Sequence, residues 1–320
     1  MSSWFRVLSP LSARARRTLG LASFVLPLGL WCLVSYVPAI WHPQVQITDP
    51  GSVTWLDVGA RLPRDAFLSE EDDARHENRQ PPRGAAANPV YLPSPGEVAQ
   101  AFYRAFVTPP ETRDGPWLHQ SLGHSIRIIF LGFVLSSIVG VPLGILCGAY
   151  SALARLSEPF IEFFRYLPAP AFGALMVAIL GIYDGPKIAI IVIGTFFQQV
   201  LIIANTTRTL DASLLEAALT LGARSRQLLS RVIIPGILPL IYRDQRVLLG
   251  WAWTYLIVAE LIGTTSGITW FITQQARYQH FANMYAAIAM IGIIGLGSDL
   301  LLAVLGRRLF PWHRSLQTAT

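Results

Sequence analysis

Six apolar runs, near Leu19–Trp41, Ile126–Tyr150, Phe163–Ile182, Lys187–Asn205, Val247–Gly263 and Asn283–Leu305, constrain this chain more than any other feature. Each is long enough, or nearly so, to cross about 30 Å of hydrocarbon as a helix. Within lipid a helix satisfies its own backbone hydrogen bonds, so the expected fold is all-α: a polytopic membrane protein of about six transmembrane helices. The composition agrees, since 52% of residues are hydrophobic and 14% charged, against about 25% charged in soluble domains. Arg14, Arg16 and Arg17 precede the first run. That run is too long for a secretory signal and lacks a clear small-residue cleavage site, so it reads as a retained span.

Pro168 and Pro170 fall in the third run, which predicts a kinked helix facing the bundle interior, where freed backbone groups find partners. The second run carries Ser136, Gly140, Gly144 and Gly148 at four-residue steps, a small-residue face that lets another helix approach closely. Cys32 and Cys147 both lie inside apolar runs and point to neither a disulfide nor a thiolate metal site.

Arginine placement predicts orientation. Six spans put the N-terminus, the Tyr150–Glu158 turn, the Thr206–Arg246 stretch and the C-terminus on one side. Besides the first three arginines, that side collects Arg155, Arg208, Arg224, Arg226, Arg231, Arg243, Arg246, Arg307, Arg308 and Arg314. The short opposite connections hold Lys187 and Arg277, so the basic side is expected in the cytoplasm of a bacterial inner-membrane protein, with both termini there. The net charge of +6 is dispersed between apolar segments, which argues against nucleic acid as a partner.

The predicted order is a cytoplasmic arginine-rich N-terminus (1–18), a first span (19–41), an outer excursion (42–118), a core of five spans (119–310) with a cytoplasmic loop at 206–239, and a cytoplasmic tail (311–320). The excursion holds half of the 22 prolines and 11 of the 19 acidic residues. Glu70-Glu71-Asp72-Asp73 through Pro81-Pro82 reads as a solvated flexible loop. Ser94-Pro95-Gly96-Glu97 ahead of Val98, Phe102 and Phe106 reads as a capping box opening an amphipathic helix on the outer membrane face.

The stretch Asp211–Pro239 is too polar to span and too patterned for a linker. Ser213 and Glu216 have capping-box spacing for a helix through Leu221. Gly222 suits a left-handed helix stop, and an arginine-rich helical turn from Ser225 leads to Pro235. Local physics thus predicts a helix-turn-helix along the cytoplasmic surface.

Glu216-Ala217-Ala218, three residues, Gly222, nine residues and Val232-x-Ile234-Pro235 resemble the EAA loop of ATP-binding-cassette (ABC) importer permeases, with valine and isoleucine where isoleucine and leucine are usual. Leu92-Pro93-Ser94-Pro95, Arg165-Tyr166-Leu167-Pro168 and Trp253 through Val258-Ala259-Glu260 are similar to the permeases of nitrate, sulfonate, taurine and bicarbonate importers. The resemblance runs from about Tyr91 to Trp312 and departs at the extra segment His42–Asn88. It implies a type I importer fold and a homodimer of permeases. It also implies ABC ATPase subunits that bind ATP and Mg, and a periplasmic substrate-binding protein. Glu216, Ala217, Ala218, Gly222 and Pro235 would carry coupling to the ATPase, and the cargo would be a small, probably anionic solute.

The only lysine, Lys187, follows Pro186, so the chain has no P-loop and is expected to be no enzyme, with no catalytic residue, cofactor or metal of its own. Ionisable and amide groups inside spans are costly unless they pair or line a water-filled path. Gln198, Gln199, Asn205, Glu260 and Asp299 are therefore the pathway candidates, with Glu260 and Asp299 equally able to pair with neighbouring helices. Glu158, Glu162 and Arg165 are spaced as intrahelical pairs. Two other readings fit an apolar bundle: a secondary transporter or channel, which needs several interacting intramembrane charges, and a membrane scaffold that tethers a soluble protein.

Overall fold

The computed structural model describes residues 11–37, 40–109, 117–262 and 266–313. Gly263, Arg314 and the outer parts of both tails lie outside the described residues. The chain divides into two compact units, residues 1–108 with 275–286, and residues 109–274 with 287–320.

The first unit is built on α1 (Ala13–Tyr36), whose N-terminus is capped by the Ser12 hydroxyl. The segment expected to be a flexible loop is folded. Strands β1 (Gln44–Asp49), β2 (Arg61–Pro63) and β3 (Arg83–Ala87) form an antiparallel sheet in the order β2-β1-β3. Helix α2 (Arg64–His76) carries the acidic run and joins β2 to β3. The reason is economical: Phe67 and Ala74, seven residues apart, are the buried positions of α2. That spacing is enough of an apolar stripe to cover a three-stranded sheet while the charges face outward. Phe67 joins Val45, Ile47, Val53 and Leu56 in one small core.

Helix α3 (Pro95–Val107) begins as the sequence predicts. The Ser94 hydroxyl accepts from the Glu97 N–H at 3.3 Å, and Glu97 accepts from the Ser94 N–H at 2.7 Å. Its Val98 and Ala101 are buried with Ala286, beside Trp31 and Tyr285. Polar bonds tie these pieces together: Trp31 Nε1 to the Pro93 carbonyl, Asn88 Nδ2 to the Ser35 carbonyl, and Arg61 to both the Asn88 carbonyl and Glu97.

In the second unit, α4 (Leu118–Ala149) packs along α7 (Asp184–Arg208). A Cβ added at Gly140 would meet Gln199, and one at Gly144 would meet Ile203 and the Val200 carbonyl. The small-residue face is therefore the seat of α7. Between them lie α5 (Ser151–Arg165), a 3-10 turn (Ala169–Phe172) and α6 (Gly173–Leu180), bent by 86° at the break. The kink expected at Pro168 is thus a full interruption, because proline drives the preceding residue out of helical geometry. Helix α5 also starts directly after Tyr150, where a turn to Glu158 was expected.

Helix α8 (Ala212–Thr220) and the turn α9 (Ser225–Leu228) precede a π-helical segment (Leu229–Ile233) that opens into α10 (Ile234–Leu261). Pro235 lacks an N–H and crowds the carbonyl four residues back, and the widened turn just before it accommodates both problems. Because α10 starts this early, Arg243 and Arg246 are not in a cytoplasmic stretch; Arg246 lies about 18 Å along the helix. Helices α11 (Ile268–Arg277) and α12 (Phe281–Leu309) complete the chain.

Among the described residues, α1, α4, α7 and α12 are long and apolar enough to cross a membrane, and the bent α5–α6 pair makes a fifth candidate. The sixth expected span, α10, has 28 residues but carries Arg243, Asp244, Arg246 and Glu260, which must be satisfied inside the bundle.

Two outcomes follow. Gly144→Leu should lower stability by about 1–3 kcal/mol through overpacking, measured by thermal unfolding in detergent, whereas Gly123→Ala, where a Cβ meets open space, should be neutral or stabilising. Burial pushes the Glu97 carboxyl up, but the Ser94 N–H and the Arg61 guanidinium outweigh it and hold it below its ordinary value. Its stabilisation is therefore present above the unfolded carboxylate value near 4.3 and lost as pH falls through the folded one. Amide protection at the start of α3 should drop on acidification, and Glu97→Gln should abolish that dependence.

Candidate functional site

The five residues expected to couple to a partner sit on one hairpin. Its first helix is not capped by Ser213: the Asp211 carboxylate, two residues earlier, accepts from the Ser213 N–H at 2.9 Å. The Ser213 N–H and hydroxyl hold that carboxyl below its ordinary value. An aspartate just ahead of the first turn out-competes serine because it brings a full negative charge to unpaired N–H groups. Helix α8 ends in a Schellman arrangement, with the Gly222 N–H on the Leu219 carbonyl at 2.9 Å and the Ala223 N–H on the Ala218 carbonyl at 3.0 Å. Gly222 has φ +81°, a region that an L side chain rarely adopts.

No residue of α8 is buried. Glu216 and Ala217 are exposed, Ala218 is half-buried, and Leu214, Leu219 and Leu221 present apolar surface to solvent. Its inner side is held by Leu210 and Leu215, which pack with Leu228 and Leu229 on Ile145, Ile203, Ile233, Ile237 and Ile241. Arg208, three residues before the cap, bonds the Asn205 side chain, the Cys147 carbonyl and Glu158. One guanidinium therefore joins the ends of α4 and α7 to α5. Glu158 is paired across helices, and Arg165 lies over the Tyr166 ring, so the expected intrahelical set does not form.

The pathway candidates are scattered. Gln199 is buried; it accepts from Ser136 at 3.0 Å and donates to Ser137 at 2.9 Å and to Gln245 at 2.7 Å. Gln198 is partly buried, and Asn205 is exposed at the end of α7. Glu260 is fully buried, bonded by the Ser125 hydroxyl and, at 2.8 Å, by the Thr269 N–H. It thereby caps the N-terminus of α11, and a side chain at Gly267 would collide with it. Asp299 forms a bidentate pair with Arg246, at 3.0 and 2.9 Å. Lys187, expected in a connection, is buried with 2% of its side chain exposed, 3.4 Å from Asp184, which His124 also contacts at 3.0 Å. Among the described residues no His, Cys, Asp and Glu group could hold a metal.

Gln245 and Arg246 were not singled out from the sequence. Placed by their nominal loop, they gave no hint that α10 would carry them inward.

The model of the family described as binding-protein-dependent transport system inner membrane component matches residues 140–311. The taurine transport system permease protein of Escherichia coli is 32% identical over 230 residues, covering 72% of this chain and 83% of that protein. The nitrate import permease protein of a Synechocystis species is 25% identical over 225 residues, covering 69% of this chain and 81% of that one. An inward-facing structure of the MetNI methionine ABC transporter superposes with a TM-score of 0.54 at 19% identity, over 64% of this chain and 99% of that one.

Removing the Glu260 carboxylate strands the Ser125 hydroxyl and the Thr269 N–H in a buried place. Glu260→Ala should therefore cost about 1–3 kcal/mol, with Glu260→Gln between it and wild type, read by thermal unfolding and by faster amide exchange at the start of α11.

Proposed function

Because the chain belongs to the family of binding-protein-dependent transport system inner membrane components, it is a multi-pass permease subunit of an ABC importer, and we propose that α8 is the helix gripped by a separate ATPase subunit. The observation that carries this reading is the state of α8. A nine-residue helix exposes Leu214, Leu219 and Leu221 although it is rigidly capped at both ends. An apolar surface on a well-fixed helix is what a groove in a partner protein recognises.

On this reading Glu216, Ala217 and Ala218 form the gripped surface, Gly222 sets the sharp end of the helix, and Pro235 fixes where the hairpin re-enters the bundle. Displacement of α8 passes through Leu210 and Leu215 to the isoleucine cluster, and through Arg208 to Glu158 on α5 and so to the broken span. ATP and Mg act on the partner; this chain supplies no catalytic group. Both termini and α8 face the cytoplasm, in keeping with the arginines. Two permease copies enclose the path, a periplasmic binding protein delivers the cargo, and lipid covers the outer helices. The cargo is a small solute bearing an oxyanion, in line with the taurine and nitrate relatives. The buried Gln199 and Glu260 serve architecture, while Asp299 belongs to the path.

Gly222→Val tests this directly. With its cognate ATPase in nanodiscs, the variant should insert and assemble but lose most of the ATP hydrolysis that loaded binding protein stimulates in wild type, because a β-branched residue resists φ +81°. Normal stimulation in the variant would count against the assignment.

A further inference from the structure

Arg246 is the thirteenth of 28 residues in α10, and Asp299 the nineteenth of 29 in α12. Measured from the ends that share one side of the bundle, they lie about 18 and 15 Å deep, near the middle of each helix. A charge pair at that depth is expensive. Apolar residues of similar volume would stabilise the bundle as well or better, so a mid-span pair calls for a use.

The pair borders a cavity of about 420 Å³ between α10 and α12. Its wall is formed by Val247, Gly250 and Trp253 on one side and by Gly292, Gly295 and Ser298 on the other. A Cβ at Gly250, Gly292 or Gly295 would meet nothing within 4 Å, so these glycines do not serve close helix packing as those of α4 do. They leave room. The side chains of Arg246 and Asp299 are 15% and 46% exposed. Two of the five guanidinium N–H groups are spent on Asp299; among the described residues the other three are unclaimed. A small apolar chamber with a few convergent polar groups is the form a small-molecule site takes.

The charge balance selects the ligand. The pair is neutral, so a simple anion entering this low-dielectric space would leave one uncompensated negative charge beside Asp299. A molecule bearing both signs adds none. We propose that this cavity is a transit site for a small zwitterion, its oxyanion on Arg246, its ammonium on Asp299, and its short hydrocarbon link against Trp253 and the glycine wall. The proposal rests on the reading of the chain as an importer subunit and narrows its cargo from oxyanions in general to those that also carry an ammonium group.

The test is equilibrium dialysis of the purified full-length permease with labelled taurine and with propane-1-sulfonate, which replaces the ammonium by a methyl group. Wild type should bind taurine saturably and at least tenfold tighter than propane-1-sulfonate. Arg246→Gln should lose taurine binding at least tenfold, and Asp299→Asn should lose the preference between the two. Should either charge variant fail to fold, Gly295→Leu, which fills the cavity and leaves the pair intact, should displace taurine alone. Equal binding of the two probes, absence of saturable taurine binding, or wild-type binding in the variants overturns the site. The importer reading is checked separately by ATPase recruitment, so either can fail without the other.

Discussion

The close approach of α4 to α7 is the contact on which the second unit depends. Gly140 and Gly144 admit α7 to within a side chain's width, and in lipid such packing replaces the hydrophobic drive that water supplies to soluble proteins. Once those two helices are seated, Gln199 falls beside Ser136, Ser137 and Gln245, and the ends of α4 and α7 converge on Arg208. Both the buried polar contacts and the placement of the hairpin are thus consequences of one seam.

The polar groups inside the bundle divide by how completely they are answered. Gln199 and Glu260 are buried and bonded on several sides, which fits a fixed architectural role. Arg246 and Asp299 answer each other but remain open to a cavity. Interior charges that are saturated specify packing, whereas interior charges with unused bonding capacity specify what may pass.

Much of this was legible in the residues. The apolar runs gave the long helices, the four-residue spacing of Ser136, Gly140, Gly144 and Gly148 gave a helix-packing face, and Ser94 with Glu97 marked the start of α3. The family followed from the loop between the fourth and fifth runs. What stayed hidden depended on contacts distant in sequence. The acidic run looked unfoldable because Phe67 and Ala74 are a thin stripe unless a sheet lies beneath them. Arg246 looked like a loop residue because its partner, Asp299, is 53 positions away. Asp211 displaced Ser213 as the cap because local spacing alone does not rank two oxygen acceptors two residues apart.

The small sheet has its own consequence. Gln44, at the start of β1, lies opposite Ala87, at the end of β3, so the chain leaves and returns at neighbouring points about 5 Å apart. Everything between those residues is a detachable pendant: a lineage can gain or shed it by splicing across one strand spacing, without re-threading the helices on either side.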